Sequence, residues 1–310
     1  LIAKAMEDVQ LDKKIAKEIA KRVCHGKSAL FVLMCTTAFL SFWISNTAAT
    51  VVMIPIALGI IHRFKKKMSN FSKATVLGIA YSANIGGVGT IIGSPPNAIV
   101  VAKLAEIINV QISFFTWMLA ALPLVIILVP LAWLLLIKLF PFEECVITPI
   151  KKTRKLSKEQ KKFLYIFVGT LLLWMTTKLH GLSSSLIALM AATVLFIIGS
   201  LQIEDLQKIN YQILILFGGG LVLGSAMFAS GLSVFFAESM ATLLQGHSFI
   251  VIMAGVVVFS IALGALASNT ATAAILVPII VPLATLLQFS PKTFSMLAGI
   301  AVSFDYLLPV

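Results

Sequence analysis

From Phe249 to Leu287 the chain carries no charged residue, and from Met118 to Leu139 it carries none before Lys138. Runs of that length exceed what a core helix needs. The hydrocarbon core of a bilayer, about 30 Å thick, takes ~20 such residues per helix. Composition agrees: 59% of the 310 residues are hydrophobic, only 12% are charged, and mean hydropathy is +1.03. A soluble domain would carry roughly twice that charged fraction. The predicted class is an all-α polytopic membrane protein, integral and multi-pass.

The net charge of +12 would suit nucleic acid if it were spread over one face. Instead the basic residues form blocks at Lys4–Lys27, Arg63–Lys73 and Lys138–Lys162, each at the edge of apolar segments. Cytoplasmic loops of membrane proteins carry such blocks, so no nucleic-acid partner is expected. Cys24, Cys35 and Cys145 are few and irregularly spaced, and neither a disulfide nor a metal framework is expected. Leu1 opens inside an amphipathic stretch and Val310 closes inside an apolar one, which reads as part of a longer protein.

Charge and length together predict the organisation. Residues 1–27 read as a basic amphipathic helix at the cytoplasmic surface. The first-repeat part, 28–139, opens with an apolar segment, 28–61, interrupted by Ser45-Asn46-Thr47 and flanked by basic blocks. One crossing cannot leave both ends in the cytoplasm, whereas a re-entrant hairpin can. A broken helix over 72–102 crosses outward, interrupted by glycines from Gly86 and by Gly93-Ser94-Pro95-Pro96-Asn97, where two prolines remove backbone donors. A helix over 114–139 returns, and 140–162 is a cytoplasmic linker. The second-repeat part, 163–310, holds spans at 163–177, 182–201 and 211–238. A re-entrant hairpin over 249–287 follows, then the start of a broken helix over 294–310. This topology leaves Lys103, Lys178 and Lys292 outside and the other 21 of 24 basic residues (24 − 3) inside.

The two parts share a pattern. SNTAATVVMIP (Ser45–Pro55) matches SNTATAAILVP (Ser268–Pro278) in register. GIAYS from Gly78 follows the first by 33 residues, and GIAVS from Gly299 follows the second by 31. The hairpins enter from opposite sides, so the pattern predicts an inverted repeat with two re-entrant hairpins and discontinuous helices. In secondary transporters, interrupted segments in corresponding places mark the binding site.

The chemistry of Ser-Asn-Thr suits that place. Hydroxyls and amide donate and accept. A helix starting at each tip offers free N–H groups to an anion. Two facing tips would hold the two ends of a dicarboxylate, with no buried Arg or Lys to bind it too tightly. Nearly neutral oxygen groups suit a monovalent cation such as sodium better than calcium or magnesium. A simpler role, capping a helix, explains one such tripeptide but not two in corresponding places.

These residues resemble the divalent anion/sodium symporter family, whose members are sodium-coupled dicarboxylate, citrate and sulfate carriers. The likeness rests on both SNT segments, GIAYSANIGG…GSPPNAI (Gly78–Ile99), FGGGLVLG (Phe217–Gly224), the GIAVSFDYLLPV end and AKAMEDVQLDKKIAKEIA (Ala3–Ala20). It covers essentially the whole chain. The resemblance implies a homodimer, elevator-type motion and two sodium sites with substrate between the tips. By motif position, substrate contacts fall to Ser45, Asn46, Thr47, Ser268, Asn269 and Thr270. Ser94 joins them, where the family commonly has Thr. The first sodium falls to Ser41, Ser45, Asn46 and Gly93, and the second to Gly264, Ala267 and Asn269.

Asp305 is the one carboxylate predicted well inside a span, a candidate for cation or proton coupling. Gly218–Gly220 lacks the Gly-Lys-Ser/Thr of a phosphate loop and reads as close helix packing. Lys103, Lys178 and His180 are placed at the outer interface, away from the site. There is no HExxH, no GxSxG with a partner and no paired membrane aspartate, so no enzyme and no organic cofactor is expected. The predicted function is sodium-coupled symport of C4-dicarboxylates such as succinate, malate and fumarate, at the plasma (inner) membrane. A sodium-independent dicarboxylate exchanger of the same fold is the alternative, with citrate or sulfate carriage behind it.

Overall fold

A computed structural model describes residues 1–20, 25–61, 69–142, 156–207 and 211–306. Among them the chain is built of α-helices joined by turns. The first stretch holds α1 (Ile2–Asp8), α2 (Leu11–Ala20), α3 (Gly26–Ser41), α4 (Asn46–Ile61) and α5 (Ser69–Gly87). After α6 (Pro95–Ile108) come α7 (Phe114–Leu139), α8 (Lys158–Met175), α9 (Thr177–His180), α10 (Ser184–Ile197) and α11 (Glu204–Gln207). The last stretch holds α12 (Tyr211–Ala229), α13 (Leu232–Leu244), α14 (Phe249–Gly264), α15 (Asn269–Leu286) and α16 (Pro291–Val302).

Serines start many of these helices. Ser113, Ser183, Ser268 and Ser290 each accept a hydrogen bond from the backbone N–H three residues on, at α7, α10, α15 and α16. This satisfies one of the donors that a helix start leaves unpaired. At α8, Ser157 and Gln160 form a reciprocal capping box. That box starts the helix at Lys158, so Lys158–Lys162 are helical rather than part of the linker expected over 140–162. Residues 143–155 of that linker lie outside the described residues.

The chain divides into two compact units. One comprises Leu1–Gly93 and Ser113–Ile209, the other Ser94–Ile112 and Asn210–Val310. In the first, α3 packs on α4, α5 and α7, and α8 packs on α10. Trp117 is fully buried and donates to the Val88 carbonyl at 2.9 Å, tying α7 to the turn after α5. Phe114 stacks on Trp174 and Trp43, and together with Ile187 closes an apolar cluster. The helix expected over 1–27 is two helices, broken where Gln10 takes φ 54°. Ala5, Met6, Leu11 and Ala16 on their inner faces are buried, and residues 21–24 lie outside the described residues.

In the second unit α15 is central, packing on α6, α12, α13 and α16. Gly220 and Gly224 of α12 face it closely: a methyl at Gly220 would lie 2.7 Å from Ala274 Cβ, and one at Gly224 2.6 Å from the Ala274 carbonyl. A methyl at Gly218 or Gly219 would meet nothing within 4 Å beyond its own helix. Close packing therefore belongs to Gly220 and Gly224. The straight span expected over 211–238 bends by 72° between α12 and α13. Gly231, at φ 77°, makes the bend without the steric cost a Cβ would bring.

By length and composition, α7 and α15 are long and apolar enough to cross a membrane, and the bent α12–α13 pair would make a third span. In contrast, α3, α4 and α14 have 16 residues each. At 1.5 Å per residue that is about 24 Å, short of a ~30 Å core. Thus α3 and α4 are both shorter than a span, whereas α14 is followed across its break by α15, which is long enough to cross.

Candidate functional site

Each unit contains a helix, a four-residue break and a second helix that starts at an Asn. In the first unit, α3 ends at Ser41 and α4 begins at Asn46. In the second, α14 ends at Gly264 and α15 begins at Asn269. The preceding serines act alike. Ser45 Oγ accepts from Ala48 N at 3.3 Å, and Ser268 Oγ accepts from Ala271 N at 3.3 Å. Both serines are exposed, as is Thr47, while Asn46, Asn269 and Thr270 are half-buried. The helix prolines also correspond, Pro55 in α4 and Pro278 in α15.

Around the first tip the structure gathers oxygens. Ser41 Oγ lies 2.6 Å from the Ala83 carbonyl and 2.8 Å from Asn46 Oδ1. Three oxygens thus share one hydroxyl proton. Asn46 Nδ2 donates to Asn84 Oδ1 at 3.0 Å, which turns its own oxygen toward Ser41. Gly93 lies against the same group: a methyl there would sit 2.5 Å from the Gly87 carbonyl oxygen and 2.7 Å from that of Ser41. A methyl at Gly87 would meet Asn46 Oδ1 and force that amide to move. Ser41 and Gly87 are the last residues of α3 and α5. Two helix C-termini, each carrying partial negative charge, therefore converge beside a side-chain amide oxygen. Thr90 Oγ1 holds the loop by donating to the Phe42 carbonyl at 2.6 Å and accepting from Gly93 N at 3.1 Å.

The second unit shares part of this plan, with Gly264 in the place of Ser41 and Asp305 in the place of Asn84. Gly264, at the end of α14, packs against the end of α16: a methyl there would sit 3.4 Å from the Val302 carbonyl oxygen and 3.8 Å from Asp305 Cβ. The Asp305 carboxylate lies close to Asn269 and interacts with its side chain. The tip asparagine thus has a neutral amide beside it in one unit, Asn84, and a carboxylate in the other, Asp305. Ser303 Oγ is buried beside this turn and has no hydrogen-bond partner among the described residues. Ala267 N–H donates to the Gly264 carbonyl at 3.3 Å, closing the break.

The residues expected at the site therefore fall into sets. Ser41, Asn46 and Gly93 come together in the first unit, and Gly264, Asn269 and Asp305 in the second. Ser45 stands apart from the oxygen group as a helix cap. Ser94 is buried, opens the second unit and caps α6 without a side-chain bond. Sequence reasoning passed over Asn84, Gly87 and Thr90. The signal for Asn84 was available, as a polar amide just before the glycines that interrupt the segment.

Lys103 is a correction. Expected at the outer interface, its side chain is fully buried within the second unit. The expectation that no Lys is buried fails with it. Burial is possible because the stem lies beside Gly224, 3.1 Å from where a methyl there would stand, and the ammonium has three acceptors. The side chain of Lys178 lies outside the described residues. Cys35 is free and exposed, and Cys24 and Cys145 lie outside the described residues.

Residues 1–302 match the family described as citrate transporter. An uncharacterized transporter of Methanocaldococcus jannaschii is 35% identical over 317 residues, covering 99% of this chain and 70% of the relative. An uncharacterized transporter of Haemophilus influenzae is 35% identical over 331 residues, covering 100% and 70%. The sodium-dependent dicarboxylate transporter SdcS of Staphylococcus saprophyticus is 31% identical over 346 residues, covering 100% and 66%. The chain thus spans between 66% and 70% of the length of these relatives. With apolar helices, paired polar breaks and a family match over nearly its whole length, this chain is an integral membrane protein of the citrate transporter family.

Proposed function

We propose that this chain forms the core of a sodium-coupled symporter for C4-dicarboxylates at the plasma (inner) membrane. The observation that carries the reading is the oxygen group at the first tip. Ser41 Oγ, Asn46 Oδ1 and the carbonyls of Ser41, Ala83 and Gly87 are all neutral, and two of those carbonyls end helices. Such a set neutralises a monovalent cation, whereas a divalent one usually takes carboxylates. Sodium is a transported substrate here, held in the first unit by Ser41, Asn46 and the turn at Gly93. In the second unit Gly264, Ala267 and Asn269 would hold it, with Asp305 adding charge. The exposed hydroxyls of Ser45, Thr47 and Ser268, with Thr270 and Ser94, are the donors for the substrate carboxylates. A cation beside each tip offsets the charge of the dianion, and this links the two affinities.

The matched helix–break–helix pairs support an inverted repeat with two re-entrant hairpins, and elevator-type movement and a homodimer rest on the family alone. The name of the Staphylococcus relative, sodium-dependent dicarboxylate transporter, supports substrate and coupling ion. The family description keeps citrate as the competitor. Uptake of labelled succinate into proteoliposomes should need an inward sodium gradient and be competed by malate and fumarate more strongly than by citrate or sulfate. Uptake driven equally well by preloaded dicarboxylate without sodium would overturn the symport reading in favour of exchange.

A further inference from the structure

A lysine fully buried in an apolar helix is expensive and marks function by default in a membrane protein. Lys103, on α6, donates to the Leu221 carbonyl at 2.6 Å, Ser225 Oγ at 2.9 Å and Glu106 Oε2 at 3.0 Å. Ser225 Oγ in turn donates to Glu106 Oε1 at 2.6 Å. The ring is closed: three ammonium protons meet three acceptors, and the carboxylate takes a bond on each oxygen. Leu221 and Ser225 are one turn apart on α12. Gly224, on the same stretch, leaves the room that the lysine stem occupies.

Such a ring is not needed for stability. Lys103 is the buried end of the pair, whereas the Glu106 side chain is 46% exposed; a charge buried in this way often adds little stability, and its best-attested use is to select one register. A register device is useful on this helix. The turn before α6 separates it from α5, and Pro95 and Pro96 remove two N–H groups from its first turn, leaving that of Asn97 on the Ser94 carbonyl at 3.2 Å. Ile99, Val100 and Leu104 bury its apolar face, but hydrophobic contact is non-directional and sets rotation poorly. The ring sits about two turns beyond Ser94, which caps the helix.

We propose that Lys103 is a positioning residue: with Glu106 and Ser225 it clamps α6 to α12 in one rotation and register, and so holds the Ser94 end of α6 in place for substrate. This rests on the transport reading for its kinetic consequence, but the clamp itself is measurable without transport.

The test compares the full-length protein with Lys103→Met, Ser225→Ala and Glu106→Gln. Hydrogen exchange should rise about tenfold in the first two turns of α6 in Lys103→Met and stay unchanged in α14. In proteoliposomes the half-saturation concentration for succinate should rise about tenfold, with maximal rate per folded transporter within about twofold. Ser225→Ala and Glu106→Gln should shift both readouts in the same direction by less. Should Lys103→Met not fold, Ser225→Ala decides by the same two measurements. Unchanged exchange in α6 overturns the clamp. Raised exchange with an unchanged half-saturation concentration overturns its part in substrate binding. A wild type that takes up no succinate overturns the transport reading instead, and the exchange measurement then decides the clamp alone.

Discussion

Replacing Gly93 by Ala tests the oxygen group most directly, because the added methyl meets the oxygens assigned to sodium. Its carbon would stand 2.5 Å from the Gly87 carbonyl oxygen and 2.7 Å from that of Ser41. Non-bonded heavy atoms rest at about 3.5 Å or more, so the overlaps are roughly 1 Å and 0.8 Å. The backbone at Gly93 is outside the left-handed region, so the cost arises from contact alone. Relieving such an overlap costs about 1–3 kcal/mol. The atoms that must give way are the two carbonyls, displaced from the group formed with Ser41 Oγ and Asn46 Oδ1. If that displacement falls on cation binding, each ~1.4 kcal/mol is tenfold in affinity. The sodium concentration for half-maximal succinate uptake then rises by roughly 5- to 150-fold. The assay is sodium-dependent uptake into proteoliposomes, normalised to folded protein. Gly59→Ala is the control: Gly59 has nothing within 4 Å, and alanine favours a helix interior by ~0.5–1 kcal/mol. A Gly93→Ala protein with wild-type sodium half-saturation and turnover would refute the reasoning.

Other outcomes follow from the same structure. Asp305→Asn leaves the Asn269 partner neutral, as Asn84 is for Asn46, and should shift the sodium or pH dependence of uptake; identical kinetics would remove Asp305 from coupling. Trp117→Phe leaves the Val88 carbonyl without its buried donor and should destabilise by about 1–3 kcal/mol, read as a lower midpoint of thermal unfolding. Burial holds the Asp12 carboxyl above its ordinary value, only partly offset by the Lys13 N–H and charge. The folded chain therefore binds this proton more readily than the unfolded one. The contribution of Asp12 to stability is largest in acid and falls as pH rises through the raised folded-state value. The midpoint of Asp12→Asn minus that of wild type should then increase between about pH 4 and about pH 7, and a difference that shrinks with pH would contradict it.

How far the sequence could be read depends on what kind of force sets each feature. Helical class followed from runs without charge, because an apolar segment in a bilayer must satisfy its own backbone bonds. The tips at Ser45 and Ser268 were legible because polar residues interrupting those runs recur in register. The turn at Gly93 announced itself through two prolines. The bend at Gly231 was not legible, since a glycine in an apolar run is compatible with both a straight and a bent helix. Nor was the start of α8 at Lys158, where lysines that read as a loop are carried by the capping box of Ser157 and Gln160.

Charge count alone placed Lys103 at the outer interface, as it would any lysine at the end of an apolar run. Three acceptors and the space beside Gly224 buried it, and two of those acceptors come from a helix more than a hundred residues away. The same distinction holds at the tips. By itself the sequence determined that two polar breaks interrupt the membrane helices, because hydropathy and backbone donors are local properties. Only the tertiary structure decided that Asn46 is held by Asn84 while Asn269 lies beside the Asp305 carboxylate, because the neighbour of a polar group is set by which helix ends packing brings beside it.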